Sequence, residues 1–266
     1  MSGLGLTFLR RGGQAHPTAG SDYIKFADQA VFDILMSKGV SSDGVGITRD
    51  DAAKVTSLNY WFKGNVDITT FDELVFFTSL ASINGIPEYG EFSSCTALKS
   101  ITLPDSVTFI GRNAFKGCSS LESINLDNIE TISGNAFANC TNLQARFNLP
   151  KLKIVEGSAF SAAGILECLM PNASRIDAYA FYNSTGLEKA DVGFTTAVGD
   201  FAFRNCTSLT TLIIRSTTPP TYGSLVFFGA TKYSIYVPDE VVSTYQAATG
   251  WKDVAAKIKP LSEYNG

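Results

Sequence analysis

Residues 98–120 read LKSITLPDSVTFIGRNAFKGCSS, and much of the remaining chain repeats this pattern with variations. A phenylalanine recurs every 21 to 23 residues, followed at fixed spacing by a small side chain and then by a leucine. The phenylalanines are Phe92, Phe115, Phe137, Phe160, Phe181 and Phe203. The small side chains are Cys95, Cys118, Cys140, Ala163, Ser184 and Cys206, and the leucines are Leu98, Leu121, Leu143, Leu166, Leu187 and Leu209. A period of this length predicts stacked units that share one continuous core.

Each leucine begins a stretch that alternates apolar and polar side chains, which is typical of a half-buried strand. In the first full repeat, Ile101 and Leu103 are predicted to point inward, and Ser100 and Thr102 outward. Two irregularities interrupt the pattern. Residues 143–149 carry one extra residue, and Pro171 takes the place of the last strand aliphatic. We expect a bulge or a local break at these two places.

The composition indicates a folded chain, because 45% of its residues are hydrophobic and 17% are charged. The formal charge of −4 gives no basic surface of the kind that nucleic-acid binding requires. No apolar run approaches the ~20 residues of a membrane span. The apolar segment at residues 4–9 is shorter than the ~7–15 residues of a signal-peptide core, and Arg10 and Arg11 follow it. We therefore expect no secretory signal.

The regions on either side of the repeats differ in composition from the repeats. Asp28 is expected to cap a helix that runs to about Lys38, and Thr48 with Asp51 predicts a second helix through about Val55. After the repeats, the sequence predicts a strand at residues 233–238, a helix from Asp239 and a short helix from Trp251. The predicted domains are an irregular arm at 1–22, a helical capping unit at 23–70, a solenoid at 71–232 and a C-terminal cap at 233–266.

The loop at residues 39–51 has the outline of a calcium-binding loop. Such a loop needs side-chain oxygens at its first, third and fifth positions and a bidentate acid at its twelfth. With Gly44 in the sixth position, Gly39 comes first and offers no side-chain oxygen; with Asp51 twelfth, Val40 comes first. Neither alignment gives a full ligand set. A helix–loop–helix cap is the better interpretation.

Candidate catalytic residues are scarce. His16 is the single histidine of the chain and lies in the polar arm, which argues against zinc sites and against Ser-His or Cys-His mechanisms. The cysteines at one repeat position could approach bonding distance in neighbouring repeats, but Ala163 and Ser184 occupy the same position. We therefore expect free, buried thiols. Cys168 falls on a predicted outward position and is expected to be the most exposed thiol.

The repeat template L-x-x-I-x-L-P-x-x-[VI]-x-x-I-x-x-x-A-F-x-x-C resembles that of the BspA-like leucine-rich-repeat family of bacterial surface proteins. The likeness is strongest at residues 98–120 and continues through residue 208. Residues 217–261 look like the C-terminal cap of that family, and residues 24–35 and 62–83 are similar to its helical N-terminal unit. The resemblance implies an α+β repeat fold, a leucine-rich-repeat solenoid with one short strand per repeat and a cap at each end. It also implies adhesion or protein binding, a location at the cell surface or outside the cell, and no family catalytic residues.

The outward strand positions are the candidate binding residues, since stacked repeats present extended binding surfaces. They are Ser100, Thr102, Ser123, Asn125, Arg146, Asn148, Met170, Lys189, Asp191 and Thr211, with Cys168 and Ile213 on the same face. The alternative interpretation is that this face is only solvated.

Two functions are consistent with the sequence. The first is a non-catalytic protein- or glycan-binding adhesion protein that needs no cofactor. The alternative is a structural or host-recognition component of a phage tail or contractile injection particle, docked through residues 1–22. The partner, and the compartment in which it is met, stay open at this point.

Overall fold

A computed structural model describes residues 22–265. The predicted arm, apart from Asp22, and His16 lie outside these residues. The α-helices are α1 (Gln29–Ser37), α2 (Arg49–Ala53) and α3 (Val242–Ala247), and short 3-10 helices occupy Asp72–Phe76, Asp239–Val241, Trp251–Lys257 and Leu261–Glu263. The strands are β1 (Thr70–Phe71), β2 (Ser82–Ile83), β3 (Ser100–Ile101), β4 (Phe109–Ile110), β5 (Ser123–Ile124), β6 (Thr131–Ile132), β7 (Arg146–Asn148), β8 (Ile154–Val155), β9 (Glu167–Leu169), β10 (Arg175–Ile176), β11 (Lys189–Asp191), β12 (Ala197–Val198), β13 (Thr211–Ile213), β14 (Thr221–Tyr222), β15 (Ser234–Val237) and β16 (Ile258–Pro260).

The two predicted helices of the N-terminal unit are confirmed. The Asp28 carboxylate accepts a hydrogen bond from the backbone N–H of Ala30 at 2.9 Å and so caps α1. Its other oxygen accepts from the backbone N–H of Thr69 at 2.6 Å, which ties the helix to the beginning of β1. Thr48 and Asp51 form a capping box at the start of α2. The unit is therefore fixed to the repeats by a buried carboxylate as well as by apolar contacts.

The repeats form a solenoid of parallel strands, as the sequence predicts. The predicted strand of each repeat contributes to a first face. This face consists of two sheets, one with the strand order β1-β3-β5 and one with the order β7-β9-β11-β13-β15-β16. The return segment of each repeat adds a two-residue strand to a second face, whose seven strands run in the order β2-β4-β6-β8-β10-β12-β14. Residues between the two faces are buried and form one core.

The recurring phenylalanines form a ring stack along that core. Neighbouring ring centroids from Phe92 to Phe203 lie 5.2 to 5.5 Å apart with nearly parallel planes. The stack continues beyond the predicted six rings, because Phe62 stacks on Phe92 at 5.3 Å and Phe227 on Phe203 at 5.7 Å. Phe227 lies 24 residues after Phe203, outside the spacing of 21 to 23 residues, and follows Val226 where the regular repeats have alanine.

The predicted strand alignment is wrong in one repeat. Ile165, not Leu166, occupies the buried leucine position, because the segment after Phe160 is one residue shorter than in its neighbours. The strand that follows is therefore shifted by one residue relative to the prediction. Cys168 and Met170 point inward and are fully buried, whereas Glu167 and Leu169 take the outward positions. Met170 is thus the last strand aliphatic, and Pro171 merely follows it, as Pro104 follows Leu103.

The irregularity at residues 143–149 breaks the first face. Strand β5 ends one sheet and β7 begins the next, and the two are not paired. In this segment the N–H of Ala145 donates to the carbonyl of Leu143 at 2.8 Å instead of to a neighbouring strand. The second face is continuous through the same repeat, where β6 pairs with both β4 and β8. The predicted local break is confirmed, and it is confined to one face of the solenoid.

The five cysteines are free and buried, which confirms the prediction for Cys95, Cys118, Cys140 and Cys206 but not for Cys168. At the repeat position of Cys95, Cys118, Cys140 and Cys206, the thiol donates a hydrogen bond to the carbonyl of the phenylalanine one repeat earlier. The thiol of Cys118 lies 3.0 Å from the Phe92 oxygen, and the hydroxyl of Ser184 lies 2.6 Å from the Phe160 oxygen. Ala163 is the exception and leaves the Phe137 carbonyl without this second donor.

The C-terminal cap contains the predicted strand at β15 and helical turns from residue 239. The indole N–H of Trp251 donates to the Pro220 carbonyl at 2.7 Å, and the Tyr245 hydroxyl donates to the Ser216 carbonyl at 2.8 Å. Strand β16 was not predicted; it pairs with β15 and extends the first face by one strand.

Candidate functional site

The outward side chains of the first face lie in two rows, and strand pairing fixes which residues are neighbours. In the first row Thr70, Ser100 and Ser123 are aligned before the break. After the break the row continues in the order Arg146, Glu167, Lys189, Thr211 and Ser234. The second row after the break contains Asn148, Leu169, Asp191, Ile213 and Tyr236. Most predicted binding residues therefore share one face, although they differ in what they contact.

The N-terminal end of this face is a closed hydrogen-bond network. The carboxylate of Asp72 accepts from the hydroxyls of Ser100 and Thr102, both at 2.9 Å. The Thr70 hydroxyl joins the same carboxylate at 3.0 Å. These hydroxyl groups already donate within the protein, so they have little to offer a ligand except as acceptors.

Asn125 has a structural role. Its side-chain oxygen accepts from the N–H of Leu103 at 2.7 Å, and its amide nitrogen donates to the Leu103 carbonyl at 3.0 Å. The side chain thus satisfies both backbone groups of a residue in the preceding repeat. This use of the amide removes Asn125 from the candidate binding residues.

The C-terminal part of the face is largely occupied by internal contacts. Asp191 is buried and accepts three hydrogen bonds from the Arg215 guanidinium, at 2.6 Å, 3.0 Å and 3.3 Å. The ammonium group of Lys189 lies 4.8 Å from the centre of the Tyr264 ring, which belongs to the chain end beyond the last helical turn. Thr211 is half-buried, and Ile213 is buried.

The centre of the face differs from both ends. Ser123 and Asn148 are exposed, lie on the two strands at the break, and form no side-chain hydrogen bond with another described residue. Arg146 lies on the same strand as Asn148, two residues earlier, and is paired with Glu167 and, at 2.8 Å, with Glu188. Hydrogen bonding to Glu188 is the main cause that raises the pKa of Arg146, so its charge is permanent. We name Ser123, Arg146 and Asn148 the central strip.

The buried thiols are poor candidates for chemistry. Burial raises the pKa of Cys95, Cys140 and Cys206 to about 12, and it also raises the pKa of Cys168. A thiol needs to ionise to act as a nucleophile. The prediction that Cys168 is exposed is wrong, because the shifted strand directs it into the core.

Metal-ligand groups do not converge in the part of the chain that the structure describes: no three His, Cys, Asp or Glu side chains are placed to hold an ion. In the loop at 39–51, the Asp43 carboxylate accepts from the Val45 N–H at 2.8 Å, from the Ser41 hydroxyl at 3.0 Å and from the Tyr23 hydroxyl. These donors, Tyr23 first, lower the pKa of Asp43. Asp43 therefore stabilises the turn between α1 and α2.

A single family model accounts for most of the chain. The model for the BspA type leucine rich repeat region matches residues 59–188 and 175–249, in six copies. The chain belongs to this family. The match includes strands β1 to β15, so the BspA-type repeats are the solenoid described above. No curated protein matches the chain significantly. Within residues 22–265, no helix has the length and apolar character that crossing a bilayer would require.

Several solved structures of bacterial leucine-rich repeat proteins are similar to part of this chain. The leucine rich repeat protein TpLRR of T. pallidum is 24% identical with a TM-score of 0.51, over 62% of this chain and 75% of that one. A leucine-rich repeat protein from Bacteroides ovatus is 18% identical with a TM-score of 0.38, over 59% and 63% of the two chains. A leucine rich cell surface protein from Faecalibacterium prausnitzii is 20% identical with a TM-score of 0.34, over 58% and 62%. The likeness to TpLRR concerns the fold alone. The chain spans less than two thirds of the length of the other two proteins.

Proposed function

We propose that this BspA-type protein is a non-catalytic binding protein and that it recognises a protein ligand through the central strip. The observation that supports this most strongly is a coincidence of position. Ser123 and Asn148 are exposed and form no side-chain hydrogen bond with another of residues 22–265, and they flank the place where the first face splits. Elsewhere on this face, the predicted binding residues are committed to internal contacts.

The energetics of the central strip also favour binding. The ion pairs of Arg146 lie at the surface, with about half of the arginine side chain exposed. Such pairs contribute only ~0–1 kcal/mol to stability, so Arg146 can exchange an internal carboxylate for one on a ligand at small cost. A ligand amide or carbonyl can pair with Asn148 without breaking any bond inside the protein.

A charge reversal at Arg146 tests this proposal. Immobilised protein is first screened against a displayed library of random peptides and against an array of glycans, and the strongest ligand is then measured in solution. Arg146→Glu is expected to weaken binding of that peptide about tenfold or more, because it places a third acid beside Glu167 and Glu188.

The matched control is Lys153→Glu. Lys153 is also exposed and pairs with Glu130 at 2.7 Å, but it lies next to the second face. The affinity of the Lys153→Glu variant for the peptide should equal that of the unchanged protein. An equal loss in both variants would indicate a general charge effect and contradict the proposal. If the screen selects glycans and no peptides, the ligand is a carbohydrate and the proposal of a protein ligand is wrong.

A further inference from the structure

One position in the turns has an unusual backbone. The residue two before each stacked phenylalanine adopts a left-handed conformation in six successive repeats, with φ between 50° and 61°. These residues are Asn113, Asn135, Ser158, Tyr179, Phe201 and Leu225. Asparagine tolerates this conformation, whereas bulky side chains rarely adopt it. The three C-terminal repeats therefore keep a side chain that the local backbone disfavours.

In the first of these repeats the asparagine is used by the fold. The Asn113 amide donates to the carbonyls of Ile86 and Pro87, at 2.9 Å and 3.0 Å. Its counterparts in the last three repeats serve the core much less, because Tyr179 is 40% exposed and Leu225 is 51% exposed. A strained backbone that holds an exposed apolar side chain is better explained by recognition than by stability.

A second turn position completes the surface. The residue after each stacked phenylalanine is Tyr182, Arg204 and Phe228 in the same three repeats. We name these three residues with Tyr179, Phe201 and Leu225 the turn patch. Tyr179 stacks on Phe201 at 4.8 Å, and Phe228 is 56% exposed.

Arg204 occupies the middle of the turn patch. Its guanidinium carbon lies 5.3 Å from the centre of the Phe201 ring and 4.8 Å from that of Phe228. Among the described residues it forms no ion pair, and its Nε is buried without a hydrogen-bond partner. A guanidinium between aromatic rings is partly desolvated, and its remaining N–H groups fit a carboxylate in bidentate geometry.

We infer that the turn patch is a second interaction surface, which binds a protein segment carrying an acidic side chain next to aromatic or aliphatic ones. The turn patch consists mainly of aromatic side chains around the Arg204 charge, and hot spots of protein–protein interfaces are rich in the same residue types. Leu225 and Phe228 offer no polar group for sugar hydroxyls, so they favour apolar side chains of a protein. The inference is independent of the central strip, which lies on the strands of the first face.

The test selects peptides from a displayed random library on the full chain and then compares their binding to the unchanged protein and to its variants. Peptides that bind the turn patch are expected to be rich in Asp or Glu beside aromatic or leucine residues. Arg204→Gln should weaken them about tenfold or more. The triple variant Tyr179→Asn, Phe201→Asn, Leu225→Asn should weaken them as strongly, while its unfolding temperature stays equal or rises, because asparagine suits the left-handed backbone.

Two controls separate this surface from others. Phe194→Ala removes a phenylalanine that is 56% exposed elsewhere, and Arg146→Glu disrupts the central strip; both should leave these peptides bound. The inference is overturned if no selected peptide depends on Arg204, if dependent peptides lack acids, or if the triple variant binds normally. A uronic-acid oligosaccharide that binds through Arg204 in place of peptides would also overturn it.

Discussion

Replacing Phe137 with alanine is expected to lower the free energy of unfolding by ~3–5 kcal/mol. The ring is fully buried and stacks between Phe115 and Phe160, 5.3 Å from each. Its neighbours are held by strands on both faces, so the cavity cannot close easily. Because repeats in a solenoid are coupled through their shared interfaces, the loss should weaken the stack on both sides of the mutation. Equilibrium denaturation with urea measures the change.

Phe194→Ala is the matched control for Phe137→Ala. It removes the same side chain from a position that is 56% exposed, and its effect should stay within ~0.5 kcal/mol. A loss of less than ~1 kcal/mol for Phe137→Ala would mean that the ring stack does not carry the stability of the solenoid.

Glu91→Gln is expected to stabilise the protein at pH 8 by up to ~3 kcal/mol and to have little effect near pH 4.5. Glu91 is buried, and burial raises the pKa of its carboxyl to about 7 from 4.5, although the N–H of Tyr60 donates to it at 2.6 Å. The folded state therefore favours the protonated acid. Its contribution to stability is complete below the unfolded pKa and is lost as the pH rises through about 7.

The control for Glu91→Gln is the same substitution at an exposed glutamate. Glu88 lies three residues earlier in the chain and is exposed, so Glu88→Gln makes the same chemical change at a position that is not buried. Urea denaturation of the three proteins from pH 4.5 to pH 8 supplies the test. A Glu91→Gln variant with the same stability difference at every pH would show that the buried carboxyl does not titrate in this range.

The fold was largely predictable because it depends on inward side chains that recur at a fixed spacing. Six phenylalanines sufficed to indicate a solenoid, and the caps at both ends follow from helix and strand signals. The alignment failed where a repeat loses a residue. Ile165 and Leu166 are equally apolar, so their order could not show which of them is buried, and the error carried over to Cys168 and Met170.

The candidate site was less predictable because outward positions carry no repeating signal. The sequence places Asn125 and Asn148 at equivalent positions. The Asn125 amide is bound to a neighbouring backbone, whereas the Asn148 amide forms no hydrogen bond with another residue that the structure describes. The pairing of Asp191 with Arg215 was also missed, although the two are separated by about one repeat. The extra residue at 143–149 predicts only the break in the first face, and the proposed central strip lies at that break.

The turn patch was missed for a different reason. The repeat template treats the residue two before each phenylalanine as variable. The sequence therefore gives no reason to select Tyr179, Phe201 and Leu225 as binding residues. Their proposed role in binding rests on the positive φ at these positions. Without asparagine, the sequence does not indicate a left-handed backbone there. Comparing equivalent positions along the solenoid shows where the side chains depart from what the backbone favours.

The central claim is that inward positions of the repeat determine stability and that the central strip determines recognition. Asn148→Arg tests it most directly, with the free energy of unfolding and the affinity for the selected peptide measured on the same sample. We expect the free energy of unfolding to change by less than ~0.5 kcal/mol, because the Asn148 side chain is exposed, while the affinity falls about tenfold or more. Unchanged affinity, with the fold intact, would contradict the assignment of binding to this face.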